Sequence, residues 1–270
     1  MADTSIAGLG ERELILFAQG LAEAARAETL PRWRSGCAAD DKSGGASFDP
    51  VTDADREGER AIRRLIEARF PDHGISGEEL PERPAQGPYR WSLDPVDGTR
   101  AFVCGMPSWV TIAGLLEGER RIFGIIDAPC LDELYVGLAG RSVMLSAGRE
   151  EPLAVSGCRS LAEARLSTTD PFLFRGAEAG AFERVRAQVR TVRYGQDGYA
   201  YARLAAGTID LVVESGLKPY DYDGLVPVVR GAGGTFGDWR GGEDFSAGKV
   251  IAAASRELYE AAVEEMAAAA

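Results

Sequence analysis

One run of six residues narrows the possibilities for this chain more than any other: Asp94-Pro95-Val96-Asp97-Gly98-Thr99, directly after the apolar stretch Tyr89–Leu93. The stretch reads as a strand, which puts Asp94 at its end, where the sheet stops covering the carboxylate. Pro95 fixes a turn, and Gly98 lets the backbone approach a ligand closely. Asp97 and Thr99 straddle the expected start of a short helix, whose free N–H groups favour an anion. Two carboxylates three residues apart on a turn can reach one hard cation together, or bridge two. The plain alternative is an Asp-rich turn that caps a helix. Five fixed residues at average usage recur by chance in about one in ten thousand chains of this size, which counts against that alternative.

Two further acidic segments flank the run. Ser76-Gly77-Glu78-Glu79 follows Ile75 and by itself reads as a solvated loop. The segment from Glu214 through Lys218, Pro219 and Tyr220 to Asp221 leads into a helix and then Gly231-Ala232-Gly233-Gly234. Asp221 by itself reads as a helix N-cap. Thirty basic against 42 acidic residues leave a net charge of −12, which disfavours nucleic acid and anionic membrane as partners. A single histidine, His73, argues against His-ligated zinc. Cys37, Cys104, Cys130 and Cys158 show no CxxC spacing and read as reduced core thiols of a cytoplasmic protein. The first residues carry no basic stretch followed by an apolar one, and no apolar run is long enough for a membrane span, so neither export nor membrane insertion is expected.

Leu14, Ile15, Phe17, Ala18, Leu21, Ala22 and Ala25 recur at helical spacing and predict an amphipathic helix over 11–29. Residues 35–50 are rich in Gly, Ser and Asp and read as a mobile loop. A second helix is expected from Asp53 to Phe70, burying Ala61, Ile62, Leu65 and Ile66, with Thr52 and Asp55 as a capping box. Short alternating runs at 89–93, 109–116, 120–127, 133–137 and 141–145 predict an antiparallel meander. Beyond residue 152 strands (165–169, 192–194, 211–214, 249–253) alternate with helices (178–189, 198–206, 222–232, 256 onward). Pro227 falls inside the third of these helices, where it costs about 3 kcal/mol or kinks it. Two units are expected: an α+β unit over 1–150 that binds metal, and an α/β unit over 151–270 that closes the site.

Taken in order, Val51-Thr52 with Asp55, Gly77-Glu78-Glu79, Asp94 to Thr99, and Tyr220-Asp221 with Gly233-Gly234 resemble the motifs of the inositol monophosphatase-like superfamily of metal-dependent phosphatases. The resemblance spans almost the whole chain. It implies an α+β fold, a layered α-β-α-β-α sandwich. It also implies two to three Mg²⁺ per site. Glu78, Asp94 and the Val96 carbonyl would hold one ion, Asp94, Asp97 and Asp221 a second, and Glu78 would help with a weaker third. Thr99, with Asp55, would orient and deprotonate the attacking water, though a helix-capping carboxylate remains the other reading of Asp55. The Gly98 and Thr99 amides would bind phosphate oxygens. Electrostatics agree, since a phosphate dianion enters a nest of carboxylates only with cations between them. Lys42 is the candidate for the family's N-terminal lysine.

Within the superfamily, Arg100-Ala101-Phe102 followed by Gly105, Pro107 and Trp109 is similar to the histidinol-phosphatase branch, as is Asp197-Gly198-Tyr199-Ala200-Tyr201. Inositol-type members usually carry Asn and His where Ala101 and Cys104 stand. The resemblance places Asp197 and Glu214 near the leaving group, where carboxylates suit the ammonium and imidazole of histidinol. Arg193 is a further candidate on the same segment. A helix N-cap for Asp197 and a surface charge for Glu214 are the plain alternatives. The expectation is a Mg²⁺-dependent histidinol-phosphatase, a cytoplasmic homodimer acting on a small phosphomonoester. Inositol-1-phosphate phosphatase, a bisphosphate phosphatase and a non-catalytic regulator of the same fold are the alternatives.

Overall fold

Apolar residues at helical spacing form α1 (Glu11–Thr29), which buries Leu14, Ile15, Ala18, Leu21, Ala22 and Ala25 along one stripe. In the computed structural model, which describes residues 6–35, 40–41 and 50–270, a short antiparallel pair follows, β1 (Asp40–Asp41) with β2 (Pro50–Val51). Most of the loop expected at 35–50, including Lys42 and Cys37, lies outside the described residues. Next comes α2 (Asp53–Arg69). Thr52 and Asp55 form the expected capping box at its start. Ala61, Ile62 and Ile66 are buried as expected, but Leu65 is exposed, and Asp55, Glu59 and Arg63 point inward as well. The inward stripe runs through 55, 58, 59, 62, 63 and 66, so three charged residues sit where hydrophobicity alone would place apolar ones.

The first sheet follows: β3 (Gly74–Gly77), β4 (Tyr89–Asp97), then after α3 (Thr99–Val103) β5 (Val110–Glu117), β6 (Arg120–Ala128), β7 (Glu133–Leu138), β8 (Arg141–Ser146) and β9 (Arg149–Pro152). These seven strands lie in sequence order. All neighbours are antiparallel except β3, which runs parallel to β4 on the edge. The chain continues through β10 (Arg165–Thr168), α4 (Ala177–Gln188), β11 (Thr191–Tyr194), α5 (Tyr199–Ala205), β12 (Leu211–Glu214), α6 (Pro219–Tyr222), α7 (Leu225–Gly231), β13 (Thr235–Asp238), β14 (Val250–Ala253) and α8 (Arg256–Met266). Its five strands form a second sheet, in the order β11-β10-β12-β14-β13. The first three strands are parallel, as helix–strand alternation predicts, while β14 runs antiparallel to both its neighbours, β12 and β13.

Three apolar cores stack the elements into five layers. The α1 and α2 stripes cover one face of the large sheet through Trp91, Leu93, Leu115, Phe123, Ile125 and Val136. The opposite face, through Val110, Ile112, Ile126 and Tyr135, meets α5 and α7, which also cover the small sheet. Helices α4 and α8 close its outer face. This is the α-β-α-β-α sandwich. His73 belongs to the first core: Trp91 Nε1 donates to its Nδ1 at 3.1 Å, and its ring stacks on Phe70.

Three glycines decide how closely the middle layer approaches. Gly114, Gly124 and Gly137 are cross-strand neighbours on β5, β6 and β7. The backbone of 223–228 lies in the track they leave; a Cβ on Gly114 would stand 2.7 Å from the Asp223 carbonyl carbon and the Gly224 amide nitrogen. That track seats the start of α7, and with it the Asp221 segment. The helix expected over 222–232 is therefore two pieces broken at Asp223-Gly224. Pro227 falls in the first turn of α7, where an N–H would have no helical acceptor, so it neither kinks nor destabilises the helix. The cysteines also differ from expectation. Cys104 is exposed and Cys130 and Cys158 are half-buried, because each sits at the end of an element or in a connection rather than on a core-facing stripe.

Candidate active site

Asp94 lies inside β4 and is buried, rather than uncovered past the strand's end. Residues three apart on a regular strand point to opposite faces. Here the pairing steps from Asp94–Ile112 to Asp97–Val110, so one extra residue bulges out of β4. The bulge brings both carboxylates to the same side. Pro95 sits in it, where no ladder N–H is needed, and Thr111 Oγ1 donates to its carbonyl at 2.8 Å. Asp94 Oδ1 accepts from the Val96 amide at 3.0 Å, and Asp97 Oδ2 accepts from the Gly198 amide. Gly98 has φ +84° and forms the N-cap of α3.

Asp221 arrives from the other half of the chain. It is the third residue of α6, not the N-cap, and its Oδ2 accepts from the Lys218 amide at 2.7 Å. One carboxylate oxygen each from Asp94, Asp97 and Asp221 lies within 4.8 Å of the others. The electrostatics of this trio are unfavourable without a cation. Burial, followed by the charges of Glu78, Asp97 and Asp221, pushes Asp94 well above the usual carboxylate range. Burial with Asp197 and Asp221 does the same to Asp97, and burial holds Asp221 up at about 6. Three hard oxygen donors in a mutually repelling group, Asp94 buried and Asp97 and Asp221 half-buried, fit Mg²⁺.

Thr99 and Asp55 meet beside the trio. Thr99 Oγ1 lies 3.4 Å from Asp55 Oδ1 and 3.1 Å from the Val96 carbonyl. Asp55 Oδ2 is taken by the Thr52 amide at 2.8 Å and the Thr52 hydroxyl at 2.6 Å. The two readings of Asp55 are thus compatible, one oxygen capping α2 and the other facing Thr99. Burial is the main cause of its raised proton affinity.

Glu59, which the sequence reading missed, holds the Gly77-Glu78-Glu79 turn in place. It accepts from Arg63 Nε at 2.8 Å and from the Glu79 amide at 2.8 Å, while Arg63 also donates to the Leu80 and Pro81 carbonyls. A Cβ at Gly77 would collide with the Glu59 carboxylate. The available signal was the Glu59–Arg63 pair, four residues apart on a helix, which on its own reads as an exposed ion pair.

Glu214 is 1% exposed, so the surface-charge alternative fails. It accepts from the Thr169 amide at 2.6 Å and the Thr168 hydroxyl at 3.2 Å, yet burial raises it to about 8. Asp197 has φ +44°, a left-handed conformation that Asp tolerates better than most residues, and stands against Gly98. Burial holds it at about 6. The N-cap of α5 is Gly198 rather than Asp197. Arg193 is exposed on the edge strand β11 and has no ion pair among the described residues. Among the described residues no helix is long and apolar enough to cross a membrane.

A family model described as the inositol monophosphatase family matches residues 11–269. The bifunctional phosphatase IMPL2, chloroplastic, of Arabidopsis thaliana is 45% identical over 196 residues, 72% of this chain and 56% of that protein; the match thus spans little more than half of that relative. The histidinol-phosphatase of Chlorobaculum parvum is 32% identical over 210 residues, 77% of this chain and 80% of that one. Among solved structures, an inositol monophosphatase from Zymomonas mobilis superposes with a TM-score of 0.82 at 38% identity, covering 95% of this chain and 98% of that one.

Proposed function

Since the chain belongs to the inositol monophosphatase family of phosphatases, we propose that it is a Mg²⁺-dependent phosphomonoesterase that hydrolyses histidinol phosphate. The observation that carries the reading is the trio of buried Asp94 with half-buried Asp97 and Asp221, standing beside the Thr99–Asp55 pair. On this reading the trio holds one Mg²⁺; Asp94, Glu78 and the Val96 carbonyl hold another, and Glu78 contributes to a weaker third. Bound Mg²⁺ supplies the positive charge that admits a phosphate dianion and stabilises the transferring phosphoryl group. The Gly98 and Thr99 amides donate to phosphate oxygens. Thr99 Oγ1 takes a proton from the attacking water as its own proton passes to Asp55 Oδ1. The water oxygen bonds to phosphorus, the bond to the leaving oxygen breaks in line, and that oxygen takes the electron pair and a proton from solvent water to depart as the alcohol. Asp55 suits the acceptor role because burial raises its proton affinity while Thr52 occupies its other oxygen.

Asp197 and Glu214 come from the 151–270 half and face the leaving alcohol; that half closes the site and also brings Asp221, so the metal trio is shared with the 1–150 half. Burial holds half-buried Asp197 and buried Glu214 above the ordinary carboxylate range, so an adjacent ammonium, which restores their charge, makes a cationic alcohol such as histidinol the better partner, and the Chlorobaculum relative supports the choice. Arg193 is a minor contributor because of its exposure. The Zymomonas structure favours a second reading, inositol 1-phosphate. Operation as a cytoplasmic homodimer belongs to the same proposal and rests on the resemblance alone.

The test is the ratio of losses on two substrates. A carboxylate facing a desolvated ammonium is worth about 1.5–3 kcal/mol, so Asp197→Ala or Glu214→Ala should cost roughly 10–150-fold in kcat/KM on histidinol phosphate. The loss on glycerol 2-phosphate, a neutral alcohol's ester, should be far smaller. Equal losses on both would remove these residues from specificity.

A further inference from the structure

Asp221, the trio's carboxylate from the second half of the chain, stands on a single turn of helix, α6 (Pro219–Tyr222). One turn does not hold its own shape in water. The oxygens of Asp94 and Asp97, within 4.8 Å, repel it until a cation is bound. Some contact must hold α6 against that push. Asp223 ends α6 and is 1% exposed, so water does not screen its charge. Its Oδ1 accepts from Arg121 Nε of β6 at 2.7 Å, and its Oδ2 faces Arg90 Nη2 of β4 at 3.9 Å. The Arg121 guanidinium is itself held. It lies over the rings of Tyr222 and Phe245, 5.2 and 4.7 Å from their centroids, and those rings meet edge to face. Arg90 and Asp94, four residues apart on β4, share one face of the strand. Asp221 and Asp223, two residues apart, therefore meet that face at two points, beside Asp94 and beside Arg90.

We propose that Asp223 and Arg121 are positioning residues, a clamp that fixes α6 over β4–β6 so that Asp221 stands ready beside Asp94 and Asp97, and that the clamp thereby sets how tightly the trio binds Mg²⁺. A buried ion pair gives little stability over an apolar pair of similar volume, so stability alone does not account for charges at this place. What the ions add is direction. The Arg121 Nε–H has one line of approach to Asp223 Oδ1, and the two aromatic rings keep the planar guanidinium on it. An apolar pair could slide along the sheet and carry Asp221 with it. This inference rests on the reading of the trio as a Mg²⁺ site.

The experiment follows melting temperature against Mg²⁺ concentration, which reports ion binding without turnover. It compares wild type with Asp223→Asn, Arg121→Lys, Asp221→Asn, the pair Asp221→Asn with Asp223→Asn, and an apolar double variant, Arg121→Met with Asp223→Leu. Asp223→Asn and Arg121→Lys should each weaken Mg²⁺ binding roughly 10–100-fold, the usual loss when a group that orients a ligand is removed. Phosphate release from glycerol 2-phosphate should return as Mg²⁺ is raised. In the Asp221→Asn background, Asp223→Asn should weaken binding by less than about 2-fold further, because the clamp acts through Asp221. The apolar double variant leaves no charge fully buried, since Arg90 is partly exposed, so without metal it should melt near wild type yet bind Mg²⁺ as weakly as Asp223→Asn. Three results overturn the clamp: unchanged Mg²⁺ binding in Asp223→Asn, an undiminished loss in the Asp221→Asn background, or an apolar double variant that binds Mg²⁺ like wild type. A lower metal-free melting temperature with unchanged Mg²⁺ binding also overturns it and leaves the pair a structural role only. If Asp221→Asn itself leaves Mg²⁺ binding unchanged, the reading of the trio fails and the clamp fails with it; if Asp221→Asn weakens binding and Asp223→Asn does not, the clamp alone fails.

Discussion

Replacing Gly114 by alanine probes how the middle of the fold positions the site. The added Cβ would lie 2.7 Å from the Asp223 carbonyl carbon and the Gly224 amide nitrogen, and 2.9 Å from the Asp223 oxygen. Ordinary contact begins at 3.4 Å, so the two backbones must separate by about 0.7 Å, the difference between 3.4 and 2.7. No flexible side chain can absorb that movement, because the atoms met are all backbone. Overpacking of this kind costs about 1–3 kcal/mol of stability. The displaced segment begins two residues after Asp221, whose oxygen lies within 4.8 Å of the Asp94 and Asp97 oxygens. A misplacement of about 1 Å can cost 10²-fold in rate, so roughly 10- to 100-fold in kcat/KM is expected, together with a higher Mg²⁺ requirement. The assay is phosphate release against Mg²⁺ concentration, paired with a thermal melt. Gly20→Ala, in α1 with open space around it, is the control and should stabilise by about 0.5–1 kcal/mol. A Gly114→Ala protein that is less stable yet keeps wild-type turnover and Mg²⁺ dependence would refute the link between the glycine track and the metal trio.

Asp97→Asn and Asp221→Asn should each lose about 10²-fold or more in kcat, and the double variant much less than the product; fully multiplicative losses would mean the two serve different ends. Thr99 does not cap α3, which begins from Gly98, so Thr99→Ala should lower kcat about 10²–10⁴-fold while Thr99→Ser keeps most of it. A folded Thr99→Ala enzyme with normal turnover would end the relay. The last prediction concerns pH. Asp197 and Asp221 are held near 6 and Glu214 near 8, all above ordinary carboxylate values. Groups raised in the folded state bind protons more tightly there, so the stability they contribute is full below about pH 4 and is lost as pH rises through 6 and 8. The metal-free protein should therefore melt at a lower temperature at about pH 8 than at about pH 5, and Mg²⁺ should raise the melting temperature more at the higher pH. Stability of the metal-free protein that rises over this range would contradict the sign.

Much of the site was legible because its chemistry lies in short runs. Asp94 to Thr99 announces two carboxylates and a helix start, and Thr52 with Asp55 announces a capping box; the helix start and the box stand as read, while Asp94 lies inside the strand rather than at its end. What stayed hidden depends on pairing between distant segments. The bulge that puts Asp94 and Asp97 on one side exists only in the register of β4 against β5. Gly114, Gly124 and Gly137 are unremarkable along the chain and become a track only when three strands align. Glu59 and Arg63 went unnoticed, because a charge buried against a neighbouring turn leaves no mark in a hydrophobic pattern. The cysteines were misplaced for a related reason: a tendency to be buried does not say where an element ends.

The most direct test of the account is phosphate release by the wild-type protein over a panel of phosphomonoesters that includes histidinol phosphate, inositol 1-phosphate and glycerol 2-phosphate, with Mg²⁺ and again in excess EDTA. The account predicts the highest kcat/KM on histidinol phosphate, complete loss in EDTA, and recovery when Mg²⁺ is restored. Release that continues undiminished in EDTA would contradict the metal-dependent mechanism, and faster hydrolysis of inositol 1-phosphate would contradict the choice of substrate.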